Sequence, residues 1–147
     1  MIEFFIILGI FILNCFLTLM IKNIKNNIAA GVDLVIIGAL LSGYWFGWRW
    51  GFIVGMLLRL SVYIITMEYD TGMIYAIPSA GVAGIIGGIF GLFSLPLFLG
   101  AIFAVLTYMT VYYSIRIIIF GDNNFFMMFL EAFGLVIVNI GIFRFFI

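Results

Sequence analysis

The pattern of apolar and polar residues divides the chain into six long apolar runs separated by short polar breaks. A helix needs about 20 apolar residues to cross about 30 Å of hydrocarbon, and most of the runs fit that length. They cover residues 2–21, 28–46, 51–66, 72–93, 96–117 and 124–144. We therefore predict an all-α polytopic membrane protein, a compact bundle of six transmembrane helices that forms a single domain over residues 1–147.

The breaks between the runs are short, so successive helices must be antiparallel neighbours. Six spans place both termini on one side of the membrane, which we call face A, together with the breaks at 47–50 and 94–96. The opposite side, face B, holds the breaks KNIKNN, MEYDT and GDNN. The distribution of lysine and arginine favours face B as the cytoplasmic side only weakly, so it does not fix the orientation.

Composition agrees with the membrane assignment and excludes several kinds of chemistry. Hydrophobic residues make up 67% of the chain and charged residues 8%, whereas a soluble domain carries about a quarter charged residues. The zero net charge argues against nucleic acid as a partner. Histidine is absent, which excludes His-based metal sites and catalysis by Ser–His or Cys–His pairs. We predict no enzyme activity, no cofactor and no metal, with the lipid bilayer as the main partner.

The first apolar run has neither a basic leading region nor a small-residue cleavage site. We therefore expect it to be a retained helix rather than a removed signal peptide. Cys15 lies within this run and is the single cysteine, so no intrachain disulfide can form. We interpret it as a small packing residue.

Glycine recurs every three or four residues in the third and fourth predicted helices. Such spacing puts the glycines on one face of each helix, and small residues let helix backbones approach closely in lipid. We predict packing between these two helices within one protomer, and a homodimer face or a ligand-lining stripe are the alternatives. The residues concerned are Gly51, Gly55, Gly81, Gly84 and Gly88.

Three charged residues lie within predicted spans, namely Arg59, Asp33 and Glu131. Counted from face B at 1.5 Å per residue, all three lie roughly 8–11 Å deep. An arginine at such depth costs about 2.5–3.5 kcal/mol on insertion scales, so groups inside the bundle must offset it. Neutral polar residues and a proline share this level: Asn14, Pro78, Ser79, Thr107, Tyr108 and Thr110.

Two interpretations of this polar level compete. Arg59 can pair with Asp33 or Glu131 in a buried ion pair that fixes helix order without any ligand. Alternatively the polar groups line a cavity in which the guanidinium binds a carboxylate or phosphate. In that second interpretation the ligand-binding residues are Arg59, Asp33, Glu131, Asn14, Ser79 and Tyr108.

A family resemblance rests on two segments, LLSGYWFGWRWGFIVGMLLRLSVYI and TGMIYAIPSAGVAGIIGGIFG. It also rests on Asn139 and Gly141 near the end of the chain. Together they resemble the five-transmembrane receptor region of LytS-type sensor histidine kinases, over residues 30–145. The arginine of that family pattern falls at Val62 here, three residues after Arg59. The glycine-rich pattern is also similar to the substrate-binding S components of energy-coupling-factor vitamin transporters.

Either resemblance implies a small-molecule site near the extracellular face of a cell-membrane protein, with both termini cytoplasmic. The first implies a receptor for a small anionic solute. No kinase domain follows Ile147 and no histidine can accept phosphate, so we expect a kinase or cyclase partner, or an output domain of a larger sensor. The alternatives are an uptake subunit with an energising transporter partner, and a membrane scaffold with no ligand.

Overall fold

A computed structural model describes residues 1–22, 34–67 and 70–121, together with the single residues Phe133, Ile137 and Gly141. Within these residues the chain forms helices and no strand. Five helices follow one another along the chain: α1 (Ile2–Lys22), α2 (Val35–Phe46), α3 (Trp48–Thr66), α4 (Gly72–Leu92) and α5 (Leu97–Phe120).

Four of the helices, α1, α3, α4 and α5, are long and apolar enough to cross a membrane. This confirms the prediction of a helical protein whose spans suit a bilayer. The predicted sixth span, 124–144, lies outside the described residues apart from three single positions. The count of six spans therefore stays a prediction.

α2 begins at Val35, and residues 28–33 of the second predicted span, 28–46, lie outside the described residues. Leu34 has φ −86° and ψ 8°, and its backbone N–H donates to Oδ1 of Asn14 at 3.1 Å. The Asn14 side chain of α1 thus accepts the hydrogen bond from the Leu34 N–H. Inside a continuous helix, a backbone carbonyl four residues earlier would accept it. The 12 residues of α2 span about 18 Å, less than the hydrocarbon thickness.

The turn between α2 and α3 consists of Gly47 alone. Its φ of 91° and ψ of 163° suit glycine, which lacks the Cβ that opposes positive φ. Because this one residue reverses the chain, α3 begins at Trp48, earlier than the predicted start at residue 51. Trp48 and Trp50 are exposed in its first turn, where tryptophan suits the headgroup level of a bilayer.

α2 is the central element of the bundle, and all its residues from Val35 to Gly43 are buried. The other four helices pack around it. At Gly38 three helices meet, because the side chains of Ile10 from α1 and Leu58 from α3 both rest on this glycine.

α4 presents a face of small residues on which the backbones of α2 and α3 lie directly. A Cβ on Gly84 would overlap the backbone of Gly51, and a Cβ on Gly55 would overlap the carbonyl of Ala80. On the α2 side, a Cβ on Gly87 would overlap the carbonyl of Leu40. Close backbone approach of this kind supplies the van der Waals contact that holds helices together in lipid.

The remaining predicted packing glycines lie on the same α3–α4 contact within one chain. Gly81 faces the ring of Phe52, and a Cβ at this position would come within 2.7 Å of that ring. Gly88 faces the backbone of Trp48 at the start of α3. All five predicted packing glycines therefore lie in the contact between α3 and α4.

We predict that Gly84→Ala destabilises the protein by about 1–3 kcal/mol, because the added methyl group meets backbone that cannot move aside. Gly9→Ala is the matched control, since a Cβ at this α1 position has no neighbour within 4 Å. That control should change stability by less than about 1 kcal/mol, in the stabilising direction. Unfolding in mixed micelles measures both free energies, and equal values for the two variants would contradict the packing described here.

Candidate functional site

Three of the polar residues predicted to share one level lie at similar depths in their helices. Asn14 is 12 residues from the face A end of α1, and Arg59 and Tyr108 are 11 residues from the face A ends of α3 and α5. These separations correspond to about 16–18 Å at 1.5 Å per residue. The first residue of α2, Val35, lies at a similar distance from the face A end of its helix. The buried start of α2 and the polar side chains therefore occupy one layer.

Arg59 lies on the face of α3 that packs against α4. Gly51 contacts Gly84 and, one turn on, Gly55 contacts Ala80, so the same antiparallel register sets Arg59 opposite Ala76. Ala76 is fully buried. Nε of Arg59 is buried as well. The arginine is thus shielded from lipid on the side where the two helices meet.

The guanidinium of Arg59 lies over the ring of Tyr63, one turn towards face B, with Cζ 5.5 Å from the ring centre. A cation over an aromatic face is stabilised by about 0.5–2 kcal/mol, more when water is excluded. This contact offsets part of the cost of holding a charge within a membrane span.

The hydroxyl of Tyr63 in turn lies against Gly72, at the start of α4. The carboxylate of Asp70 is next to the same glycine and accepts a hydrogen bond from its N–H at 2.9 Å. A Cβ on Gly72 would come within 2.7 Å of that carboxylate and 3.2 Å of the hydroxyl. Arg59, Tyr63 and Asp70 therefore form a line from the polar layer to the face B surface.

Asn14 is 1% exposed and lies where α1 meets the start of α2. Its Oδ1 accepts the hydrogen bond from Leu34, and its backbone carbonyl accepts one from the hydroxyl of Thr18 at 2.7 Å. Among the described residues, Nδ2 of Asn14 is buried and has no hydrogen-bond partner. A buried donor without a hydrogen bond lowers the stability of a fold by about 1–3 kcal/mol.

Ser79 is fully buried in α4, and its hydroxyl donates to the carbonyl of Tyr75 at 2.5 Å. Pro78, beside it, lacks the N–H that would otherwise bond the carbonyl of Ile74. Ser79 is thus satisfied within its own helix, and the proline locally loosens the hydrogen-bond ladder of α4.

Tyr108 belongs to an aromatic cluster between α4 and α5. Its ring stacks on Tyr112 at 5.8 Å between centroids, and Tyr112 meets Tyr75 edge to face at 4.6 Å. Tyr113 and Phe120 extend the cluster towards face B. Through Tyr75 and Tyr112 the cluster connects Ser79 of α4 with Tyr108 of α5.

The predicted site residues therefore fall into three groups in the structure. Arg59 is with Tyr63, Asn14 is with Leu34, and Ser79 and Tyr108 are joined through Tyr75 and Tyr112. Asp33, Glu131 and Asn139 lie outside the described residues. Thr110, which the sequence placed at this level, is exposed, and its hydroxyl donates to the carbonyl of Leu106.

Sequence reasoning missed Tyr63, Tyr75 and Tyr112, which contact residues of this layer from the side of face B. The spacing of four residues between Arg59 and Tyr63, and between Tyr108 and Tyr112, could have indicated that each pair shares a helix face. No sequence pattern indicates the hydrogen bond from the Leu34 N–H to Asn14, because the two residues are 20 positions apart in the chain.

A groove of about 160 Å³ lies between α1 and α3, in the half of the bundle nearer face A. It is lined only by apolar side chains, so it offers nothing to orient a polar ligand. The lining residues are Phe4, Ile7, Leu8, Phe11, Val54, Leu57 and Leu58.

No protein-family model, curated protein or solved structure matches this chain. The similarity to LytS-type receptor regions and to S components therefore stays a hypothesis carried by the residues quoted above.

We predict that Tyr63→Leu lowers the free energy of unfolding by about 1–2 kcal/mol, because the cation of Arg59 loses the aromatic face beneath it. Tyr63→Phe keeps the ring and should lose less than half as much. Unfolding in mixed micelles gives both values. Equal losses in the two variants would show that the ring does not stabilise the arginine.

Proposed function

We propose that this protein is a LytS-like membrane receptor module. It binds a small anionic solute between its helices and signals to a kinase or cyclase partner, or to an output domain. The observation that carries the proposal is the position of Arg59, a cation within a membrane span whose Nε is buried.

The chemistry of the polar layer supports an anionic ligand. A guanidinium presents a planar fork of donors that fits a carboxylate, and its attraction for an anion grows where water is excluded. Intramembrane ionisable residues are rare and mark ligand or ion sites. In this proposal Asn14, Ser79 and Tyr108 supply polar contacts to the ligand at the level of Arg59. The carboxylates of Asp33 and Glu131 reduce the net positive charge around it.

A signalling role fits the arrangement of the helices around this layer. α3 and α4 are locked together at backbone level by glycine in the half nearer face A. Towards face B the contact passes through side chains, those of Arg59, Tyr63 and Asp70. A ligand that binds there can change how α3 and α4 meet near face B, which a partner can detect, while their contact near face A is kept.

A scaffold without a ligand is the second candidate, and the glycine contacts favour it, because they hold three helices together with no help from a solute. Under this alternative Arg59 serves packing alone. Substituting it would then destabilise the protein and change no binding.

We predict that small carboxylates raise the melting temperature of the purified protein and that Arg59→Gln removes this effect. Formate, acetate and propionate are the probes, and a ligand at 100 times its Kd stabilises by about 2.7 kcal/mol. Arg49→Gln is the matched control, because it removes the same charge from the same helix at an exposed position beside Trp48.

The receptor proposal requires wild type and Arg49→Gln to respond alike and Arg59→Gln to fail. Arg59→Lys, which keeps the charge and loses the fork, should respond more weakly than wild type and serves if Arg59→Gln does not fold. No stabilisation of wild type by any probe, or an unchanged response in Arg59→Lys and Arg59→Gln, would reject the proposal in favour of the scaffold.

A further inference from the structure

The face A end of the bundle exposes large apolar side chains where the chain turns. Phe46, Trp48 and Trp50 surround the one-residue turn at Gly47, and all three are exposed. The turn at 93–96 between α4 and α5 carries no charged residue, and Phe93 within it is 67% exposed. Large apolar side chains gathered in one place indicate a surface that contacts lipid or another protein.

The lengths of the helices favour lipid as the contact. α3 has 19 residues and α4 has 21, which correspond to about 28 and 32 Å. Both lengths match the hydrocarbon thickness of about 30 Å. The face A turns therefore lie at the boundary between hydrocarbon and headgroups, where tryptophan is enriched.

Arg49 lies between the two exposed tryptophans, and its own side chain is exposed. Its Cζ is 5.3 Å from the centre of the Trp48 ring, a cation–π contact that holds the guanidinium beside the ring. Among the described residues this guanidinium makes no hydrogen bond and no ion pair. Its N–H donors are therefore open to a headgroup at the same level.

We propose that Arg49, held by Trp48, binds the phosphate of an anionic phospholipid at the face A surface. The planar fork of the guanidinium donates to two phosphate oxygens. Ile53 and Met56 follow four and seven residues later on the same side of α3, and both are at least partly exposed. They provide the apolar surface along which an acyl chain of the same lipid lies.

A lipid with a net negative charge suits this site better than a zwitterionic one. The headgroup amine of a zwitterionic lipid repels the guanidinium, whereas an anionic headgroup leaves a net attraction. One arginine at an anionic membrane surface favours such a lipid by about fivefold. Arg49 and Arg59 are ten residues apart on α3, about 15 Å, so this site is separate from that of the proposed function.

Tryptophan fluorescence tests the site, because the three tryptophans of the chain all lie within three residues of Gly47. The full chain is reconstituted in phosphatidylcholine vesicles that contain a rising fraction of phosphatidylglycerol with dibrominated acyl chains. Bromine quenches the tryptophans that its lipid contacts, and dibrominated phosphatidylcholine gives the reference curve. We expect phosphatidylglycerol to associate with this end about fivefold more tightly than phosphatidylcholine.

Arg49→Gln removes the charge and should lower this preference to less than about twofold. Arg49→Lys keeps the charge and loses the planar fork, so its preference should lie between those of wild type and Arg49→Gln. Lys22→Gln is the matched control, because it removes the same charge from the face B end of α1. It should keep the wild-type preference. Equal quenching of all four proteins by brominated phosphatidylcholine would show that the tryptophans keep their depth.

Three results would overturn the proposed lipid site. The first is equal association of both lipids with wild type, or an unchanged preference in Arg49→Gln. The second is weak quenching by either lipid together with the emission of tryptophan in water, which would place this end outside the bilayer. The third is a preference lost in sodium phosphate but kept in sodium chloride of equal ionic strength, which would assign Arg49 to a soluble anion. None of these results bears on Arg59, so the receptor proposal is tested separately.

Discussion

The close approach of α3 to α4 at glycine is the constraint on which the rest of this structure depends. Where Gly51 meets Gly84 and Gly55 meets Ala80, backbone touches backbone, so the two helices cannot slide or rotate without overlap. That fixed register continues for another turn and carries Arg59 into the contact, opposite Ala76. The position of Arg59 is therefore a consequence of packing in the half of the bundle nearer face A.

Within the layer, side chains replace glycine as the contact between helices. Arg59 lies over Tyr63, Asn14 holds the start of α2, and the tyrosines of α4 and α5 stack on one another. Each of these groups would be costly if it faced lipid. The bundle thus combines a closely packed apolar half with a layer in which polar and aromatic side chains contact one another.

The sequence predicts much of the fold and less of the site, for physical reasons. The lengths of the apolar runs predicted α1, α3, α4 and α5 because the bilayer thickness sets that length. The start of α2 could not be predicted, since a side chain from a distant helix, Asn14, competes for the Leu34 N–H. Counting residues along the apolar run predicts the depth of Arg59. Its position opposite Ala76 depends on the register of α3 against α4, which the sequence does not reveal.

The central claim is that Arg59 is inside the bundle, and solid-state NMR in lipid tests it directly. With ¹³C-labelled arginine and tyrosine, proton spin diffusion from lipid methylenes to each guanidinium reports which arginines face acyl chains. We expect a cross-peak between Arg59 Cζ and the ring of Tyr63, with slow transfer from lipid. Rapid transfer from lipid methylenes to Arg59, without the tyrosine cross-peak, would contradict it.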